Sequence, residues 1–245
     1  MFTAQGPTLR ELAVQALSSI ERGYDLLAPK FDRTPFRTPD RVLDAVTQAL
    51  RPLGPFSAGL DICCGTGAGV GVLRQLCEER VTGVDFSAGM LAAAAAATPA
   101  DANGPAVSWV RADARSLPFA PAFDLAVSFG AFGHFLPRER PLLFAEVKGA
   151  LRPGGVFSFP VLAPPGPRSW LYWALLGFDV TMRVRNAVWR PQFVMYYRTF
   201  PLSGVLVDLD RAGFTVELRP LPELGCLADG SPRARLLVAR KPEDA

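Results

Sequence analysis

The stretch LDICCGTGAG, at residues 60–69, ends a short apolar run with an aspartate and continues into a glycine-rich loop. Because glycine has no Cβ, the backbone of such a loop can approach a bound ligand closely. A dinucleotide-binding loop needs the spacing Gly-x-Gly-x-x-Gly, but here Gly65 and Gly67 are followed by Val70. A phosphate-binding loop ending in Gly-Lys-Ser or Gly-Lys-Thr does not occur in the sequence. The loop therefore indicates a ligand site and argues against both phosphate-binding types.

The cysteines and the histidine predict neither a metal site nor a disulfide framework. The four cysteines form no Cys-x-x-Cys pair, and His134 is the only histidine in the sequence. We expect Cys63 and Cys64 to be packing residues rather than redox groups or nucleophiles. His134 follows the fourth predicted strand and is a candidate general base. The alternative is a loop histidine that is hydrogen-bonded to a backbone carbonyl.

Strands and helices alternate along the part of the chain that holds these residues. Short apolar runs predict strands at 58–62, 81–85, 107–110, 123–128 and 155–160. Helix-like segments lie at 40–50, 68–77, 88–97, 138–151 and 203–212. This alternation predicts right-handed βαβ units and a parallel sheet covered on both faces. The segments GFTVELRPL and ARLLVARK predict a closing antiparallel pair of strands.

The length allows one large domain or two small ones, and the composition is that of a soluble globular protein. The chain has 245 residues, of which 49% are hydrophobic and 20% are charged. Uncharged stretches such as 86–100 reach about 15 residues, too short for a membrane span. Arg10 and Glu11 interrupt the first apolar pattern, which argues against a signal peptide and predicts a cytoplasmic location. The net charge of +3 comes from interspersed acids and bases, so we expect no nucleic acid partner.

Five segments together resemble a known family. LDICCGTGAG, VTGVDFSAGML, RADARSLPF, FDLAVSFGAFGHF and LRPGGVF are similar, in order, to the motifs of class I S-adenosylmethionine-dependent methyltransferases. The likeness is closest to the small-molecule branch that includes quinone-biosynthesis C-methyltransferases, and it covers residues 20–160. It implies an α/β fold with a doubly wound, mostly parallel seven-stranded sheet of the Rossmann-like methyltransferase type. One departure is Cys63, which stands where many relatives have glycine.

The resemblance also implies the ligands and their contacts. S-adenosylmethionine would be the cofactor, S-adenosylhomocysteine the product, and a small or medium hydrophobic molecule the acceptor on an oxygen, carbon or nitrogen atom. Asp61 would face the ammonium group, and Asp85 would accept both ribose hydroxyls because a carboxylate has two oxygens. Asp113 would receive the adenine amine. The implied cofactor-binding residues are Asp61, Cys63, Gly65, Gly67, Asp85, Phe86, Met90, Asp113, Ala114 and Ser128.

We divide the single methyltransferase domain at 1–245 into a helical lid (1–50), a cofactor-binding core (51–160), a substrate cap (161–201) and a closing helix and strand pair (202–245). Tyr24 and Phe31 resemble lid residues of relatives, and Arg37 is a candidate partner for the methionine carboxylate.

The cap carries nine aromatic residues and five arginines, and its aromatics either wall an acceptor pocket or pack over the sheet edge. A homodimer is one expectation for its assembly. The alternative function is a non-catalytic cofactor-binding protein or scaffold of the same fold.

Overall fold

The computed structural model describes residue 8 and residues 20–34, 36–163, 169–189 and 202–243. Helix α1 (Ile20–Leu27) runs into a 3-10 helix (Ala28–Arg33), and helix α2 (Asp40–Leu50) follows with the bounds predicted from the sequence. Residues 1–7 and 9–19 of the predicted lid lie outside the described residues. The described part of the predicted lid therefore consists of α1, the 3-10 helix and α2.

Within the described residues, seven strands form one sheet. They are β1 (Phe56–Ile62), β2 (Cys77–Asp85), β3 (Ala106–Arg111), β4 (Phe123–Val127), β5 (Leu151–Leu162), β6 (Thr215–Pro220) and β7 (Ala234–Arg240). Their order is β3-β2-β1-β4-β5-β7-β6. The first five are parallel, whereas β7 runs antiparallel to both β5 and β6. The doubly wound, mostly parallel sheet and its closing antiparallel pair are confirmed.

Further helices follow α2 along the chain, and most of them pack on the sheet. The remaining ones are α3 (Ala68–Leu73), α4 (Ala88–Ala97), α5 (Arg140–Ala150), α6 (Trp170–Trp189) and α7 (Leu202–Arg211). The prediction that α3 extends to residue 77 is wrong, because the chain turns after Leu73. The amide of Leu76 donates to the carbonyl of Leu73 (3.0 Å), and Cys77 then pairs with Phe56 as the first residue of β2.

Strand β1 is buried on both faces, and this places one acid in a covered position. Ala58, Leu60 and Ile62 pack in one cluster with Phe144 of α5. Since side chains alternate along a strand, Asp61 points to the opposite face, toward α3. Among the described residues, no helix combines the length and the apolar composition needed to cross a membrane.

Candidate functional site

A cavity of about 500 Å³ lies at the carboxyl ends of β1, β2 and β4, which is where an open parallel sheet binds ligands. The predicted site residues that line it are Asp61, Cys63, Gly65, Asp85, Phe86, Met90, Asp113, Ala114 and His134. Gly67 and Ser128, which the resemblance also implies, are not part of this lining. The volume suits a small organic ligand.

The loop between β1 and α3 turns through left-handed backbone at three positions. The φ angles are 57° at Cys63, 52° at Gly65 and 91° at Gly67. Gly67 is the N-cap of α3, so it directs the chain into the helix behind the cavity wall. A residue with a Cβ costs roughly 1–2 kcal/mol in this conformation. Cys63 adopts it at the position where many relatives have glycine.

The neighbouring thiols are chemically quiet. Burial raises the pKa of Cys63 well above its usual value, and the nearby carboxylates of Asp85 and Asp61 add to the shift. Burial also raises the pKa of Cys64, again with help from these two acids. A protonated thiol is a poor nucleophile, which agrees with the interpretation of both cysteines as packing residues.

Asp61 is a buried acid without a hydrogen-bond partner. Its side chain is 1% exposed, and no described residue donates a hydrogen bond of standard geometry to either carboxylate oxygen. Burial raises its pKa well above the usual value, although the nearby amides of Gly69 and Val70 lower it in part. A Cβ on Gly69 would lie 2.5 Å from Asp61 Oδ2, so only glycine fits at this point of α3. The uncompensated carboxylate faces the cavity, which marks it as a ligand contact.

Asp85 is held from behind by backbone amides. Gly65 N donates to its Oδ2 (2.9 Å), and Ser87 N donates to its Oδ1 (2.9 Å). Burial raises its pKa in spite of these bonds. Each carboxylate oxygen still has a lone pair to offer, so both can accept a hydrogen bond from a ligand in the cavity. The arrangement matches the two acceptors that a ribose diol needs.

Asp113 belongs to a charged network at another wall of the cavity. Its Oδ1 accepts from the amide of Arg115 (2.8 Å), and its Oδ2 accepts from the guanidinium of the same residue (2.6 Å). The guanidinium hydrogen bond is the main reason why the pKa of Asp113 is lowered. Arg115 also donates to Glu139 Oε1 (2.6 Å). Most of the accepting capacity of Asp113 is therefore taken by Arg115, and its predicted contact with the adenine amine stays a prediction.

The lid contacts the cavity through aromatic side chains. Tyr24 of α1 and Phe31 both line the cavity, and their rings pack against each other. A hydrogen bond of 2.6 Å joins Tyr24 Oη to His134 Nε2. His134 lies in a short 3-10 helix after β4 (Phe132–His134), and its ring meets that of Tyr24 edge to face. The candidate base is therefore coupled to a phenol of the lid.

Two acidic residues hold the predicted lid to the loops around the cavity, and these contacts were not predicted from the sequence. Asp25 Oδ1 accepts from Ser87 Oγ (2.5 Å) and from Gly89 N (2.9 Å) at the N-terminus of α4. Asp32 Oδ1 accepts from Thr66 Oγ1 in the glycine loop (2.6 Å). Asp25 and Asp85 thus contact Ser87 from opposite sides, which links the lid to the wall of the cavity.

Ser128 and most of the described cap residues lie outside the cavity lining. Ser128 is buried, and its hydroxyl donates to the carbonyl of Ile62 (2.8 Å), which ties the end of β1 to the chain after β4. Of the described cap residues, only Leu162 lines the cavity, while Trp170 and Trp173 are exposed. Residues 164–168 and 190–201 of the cap lie outside the described residues.

Known proteins resemble this chain in sequence and in fold. A family model described as a methyltransferase domain matches residues 60–155. An uncharacterized methyltransferase from Synechocystis sp. is 29% identical over 187 residues, covering 76% of this chain and 80% of that protein. A 2-phytyl-1,4-naphtoquinone methyltransferase from Thermosynechococcus vestitus is 33% identical over 101 residues, covering 40% of this chain and 43% of that protein. The solved structure of a DhpI–SAH complex has a TM-score of 0.64 at 18% identity and covers 96% of this chain and 99% of that chain.

The domain model and these relatives support an S-adenosylmethionine-dependent methyltransferase. The resemblance drawn from its five motifs is confirmed, and the chain is an enzyme of that class. In this methyltransferase, the matched span holds the glycine loop, Asp85, Asp113 and His134, whereas the contacts made by the lid fall before it. The structural likeness at 18% identity supports the fold alone.

Proposed function

We propose that this methyltransferase holds S-adenosylmethionine in the cavity and methylates a small, largely apolar acceptor there. The observation that carries the proposal is Asp61, a buried carboxylate that faces the cavity and has no described hydrogen-bond partner. An ammonium group is the natural partner for such an acid, directly or through a water molecule. Asp85, with a free lone pair on each oxygen, suits a ribose diol beside it.

The charge of the cavity favours this ligand over a dinucleotide. Asp61, Asp85 and Asp113 all line it, so a phosphate group would meet carboxylates. The two arginines of the lining are each paired with an acid, Arg37 with Asp40 (2.7 Å) and Arg115 with Asp113 (2.6 Å). A positively charged ligand without phosphate fits these surroundings. The residues present therefore agree with a sulfonium cofactor that carries an amino acid tail.

The remaining cofactor contacts follow from the lining. Phe86 and Met90 offer apolar surface beside Asp85 for the adenine ring, and Ala114 offers its backbone amide. Gly65 lets the backbone come close, while Cys63 adds a small thiol to the wall. We propose that Gly67 acts by shaping the loop and Ser128 by holding the end of β1, since neither lines the cavity.

When bound, S-adenosylmethionine supplies an electrophilic methyl group on a sulfonium, which is already a good leaving group. The protein must then align the acceptor and exclude water. We propose that Tyr24 and Phe31 cover the cavity and keep it dry. His134, through its hydrogen bond to Tyr24, can take a proton from an acceptor that loses one. Both rings line the cavity, so the pair lies where a bound acceptor would reach it.

The apolar lining indicates the class of acceptor. Phe36, Phe129, Phe135 and Leu162 supply ring and methyl surface to one cavity. Apolar walls with a few polar groups are typical of pockets for small organic molecules. One relative is a quinone methyltransferase, which agrees with an acceptor of this kind.

We also propose that the chain forms a homodimer. The division into lid, core and cap stays a prediction, and so does the cytoplasmic location.

Calorimetry with S-adenosylhomocysteine tests the cofactor site. Asp85→Ala removes a charged acceptor whose hydrogen bonds contribute about 1.5–3 kcal/mol, so the dissociation constant should rise roughly ten- to a hundredfold. Asp44→Ala is the matched control, because Asp44 is an exposed acid of α2 that does not line the cavity. A folded Asp85→Ala protein with unchanged affinity would overturn the site. A methyl-release assay separates the enzyme from a non-catalytic cofactor-binding protein.

A further inference from the structure

Helix α6 turns apolar side chains toward solvent. The exposed fractions are 78% for Trp170, 61% for Trp173, 50% for Val180, 58% for Val184 and 76% for Val188. Large apolar side chains are usually buried, and a row of them along one helix indicates a surface that another body covers.

The exposed residues follow a helical repeat. Trp170, Trp173, Gly177, Val180 and Val184 are separated by three, four, three and four residues, and all are exposed. This spacing gives a stripe along one side of the helix, which the exposed Ala174 and Ala187 widen, and helices that pack against each other present such apolar stripes.

The inward face of α6 confirms which side is outside. Asp179 is 2% exposed, whereas its neighbour Val180 is half exposed. Leu175 and Leu176 are partly buried. The helix therefore directs an aspartate and part of its leucine surface inward and its valines outward. Such an arrangement is costly for an isolated monomer, because the valine and tryptophan surface stays in water.

We propose that α6 packs against α6 of a second copy of this chain, in an antiparallel pair around a two-fold axis near Gly177 and Val180. A two-fold interface presents the same patch on both subunits. The antiparallel direction places the two tryptophans of one helix opposite the valine end of the other, so large side chains face small ones. Gly177, at the middle of the stripe, lets the two backbones come close.

The exposed area is sufficient for such a pair. A partly exposed tryptophan offers on the order of 150 Å² and a valine about 80 Å². The stripe thus provides on the order of 500 Å² per chain, and two copies would bury about 1,000 Å², the size that a specific interface needs to reach. None of the five exposed apolar positions carries a charge, and the exposed Arg183 is next to Val184 in the chain.

Light scattering on the full chain tests the pair. The wild-type protein should have about twice the 26.4 kDa chain mass across a concentration series. Val184→Lys places a charge in the seam and should give the mass of one chain. The matched control is Val207→Lys, which changes a valine of α7 that is 48% exposed and lies outside the stripe; it should remain a dimer. A monomeric wild-type protein, or a dimeric Val184→Lys protein, would overturn the proposal.

Disulfide trapping gives a second measurement that does not depend on the stability of a charged variant. The exposed Cys226 is first replaced by serine to remove a competing thiol. Val180→Cys, close to the two-fold axis, should then form a covalent dimer on mild oxidation, whereas Val188→Cys, at the end of the stripe, should not. Equal trapping at both positions would overturn the antiparallel arrangement. Pelleting of a monomer with anionic vesicles would instead assign the stripe to a membrane surface and overturn the pair.

Discussion

Replacing Asp61 by asparagine should stabilise the cofactor-free protein and weaken cofactor binding at the same time. The carboxylate is buried, and no described residue donates a hydrogen bond to it. The charge therefore costs folding free energy, which the nearby amides of Gly69 and Val70 offset in part and a bound cation would offset further. The amide of an asparagine keeps the shape of the side chain and removes the charge.

The magnitude follows from proton linkage. Burial raises the pKa of Asp61 well above 3.8. At pH 7 the cost has a ceiling of about 4 kcal/mol, because beyond this the carboxyl group would take up a proton instead. The amide in its place still loses water, at about 1–3 kcal/mol. The free energy of unfolding should therefore rise by about 1–2 kcal/mol.

A second buried aspartate provides the control. Asp208 of α7 lies 3.0 Å from the guanidinium of Arg140, and both side chains are buried. Asp208→Asn breaks this ion pair and leaves the arginine charge buried, so the free energy of unfolding should fall by about 3–5 kcal/mol. The same substitution is expected to change the free energy of unfolding in opposite directions at the two buried aspartates. Asp208 forms an ion pair within the protein, whereas Asp61 would form one only with a bound ligand.

Denaturant unfolding and calorimetry with S-adenosylhomocysteine measure both effects. Since the folded pKa of Asp61 is raised, the folded state binds its proton more tightly than the unfolded chain does. Stability contributed by this group is lost as the pH rises from the usual value of 3.8 through the folded pKa, and Asp61→Asn should remove that slope. The reasoning fails if Asp61→Asn destabilises the protein as much as Asp208→Asn, or if it binds S-adenosylhomocysteine like the wild type.

Two further substitutions address the lid and the strained loop. Asp25→Ala removes the acceptor of two hydrogen bonds at the start of α4, so the amide hydrogens of α1 should exchange faster. The dissociation constant for S-adenosylhomocysteine should rise by about tenfold, or 1.4 kcal/mol. Unchanged exchange in α1 would contradict a role of Asp25 in holding α1 against α4. Cys63→Gly should keep or slightly raise the free energy of unfolding, since it relieves about 1–2 kcal/mol at a φ of 57°, whereas Cys63→Val should lower it. A Cys63→Val protein with the same free energy of unfolding as the wild type would contradict the prediction for Cys63.

Much of the fold follows from local rules in the sequence. The bounds of α4 are those predicted, because Ser87 caps the first turn by accepting from Met90 N (3.1 Å) and the alanine run continues the helix. Asp61 and Asp85 end adjacent parallel strands, so the sheet brings them to one edge. Such features depend on neighbours in the chain or in the sheet, which the pattern of apolar runs specifies.

The contacts between the lid and the core could not be predicted in the same way. Asp25 lies 62 positions before Ser87 in the chain, and Tyr24 lies 110 before His134. No local pattern in the sequence specifies which distant residue such a side chain contacts. The segment YDLLAPKFD suggested a lid through its resemblance to relatives, but the acids that fasten it had no separate signal. For the same reason the pairing of Asp113 with Arg115, which limits its free lone pairs, was not expected.

The composition of helix α6 does not determine which of its sides is buried. The aromatic residues of the cap suggest an interior, and its single acid suggests a solvent position, yet Asp179 is buried and Trp170 is largely exposed. Hydrophobicity along the chain cannot decide this, because the inward face is set by what the helix packs on. If two chains meet along α6, burial of the tryptophan is restored by assembly rather than by folding.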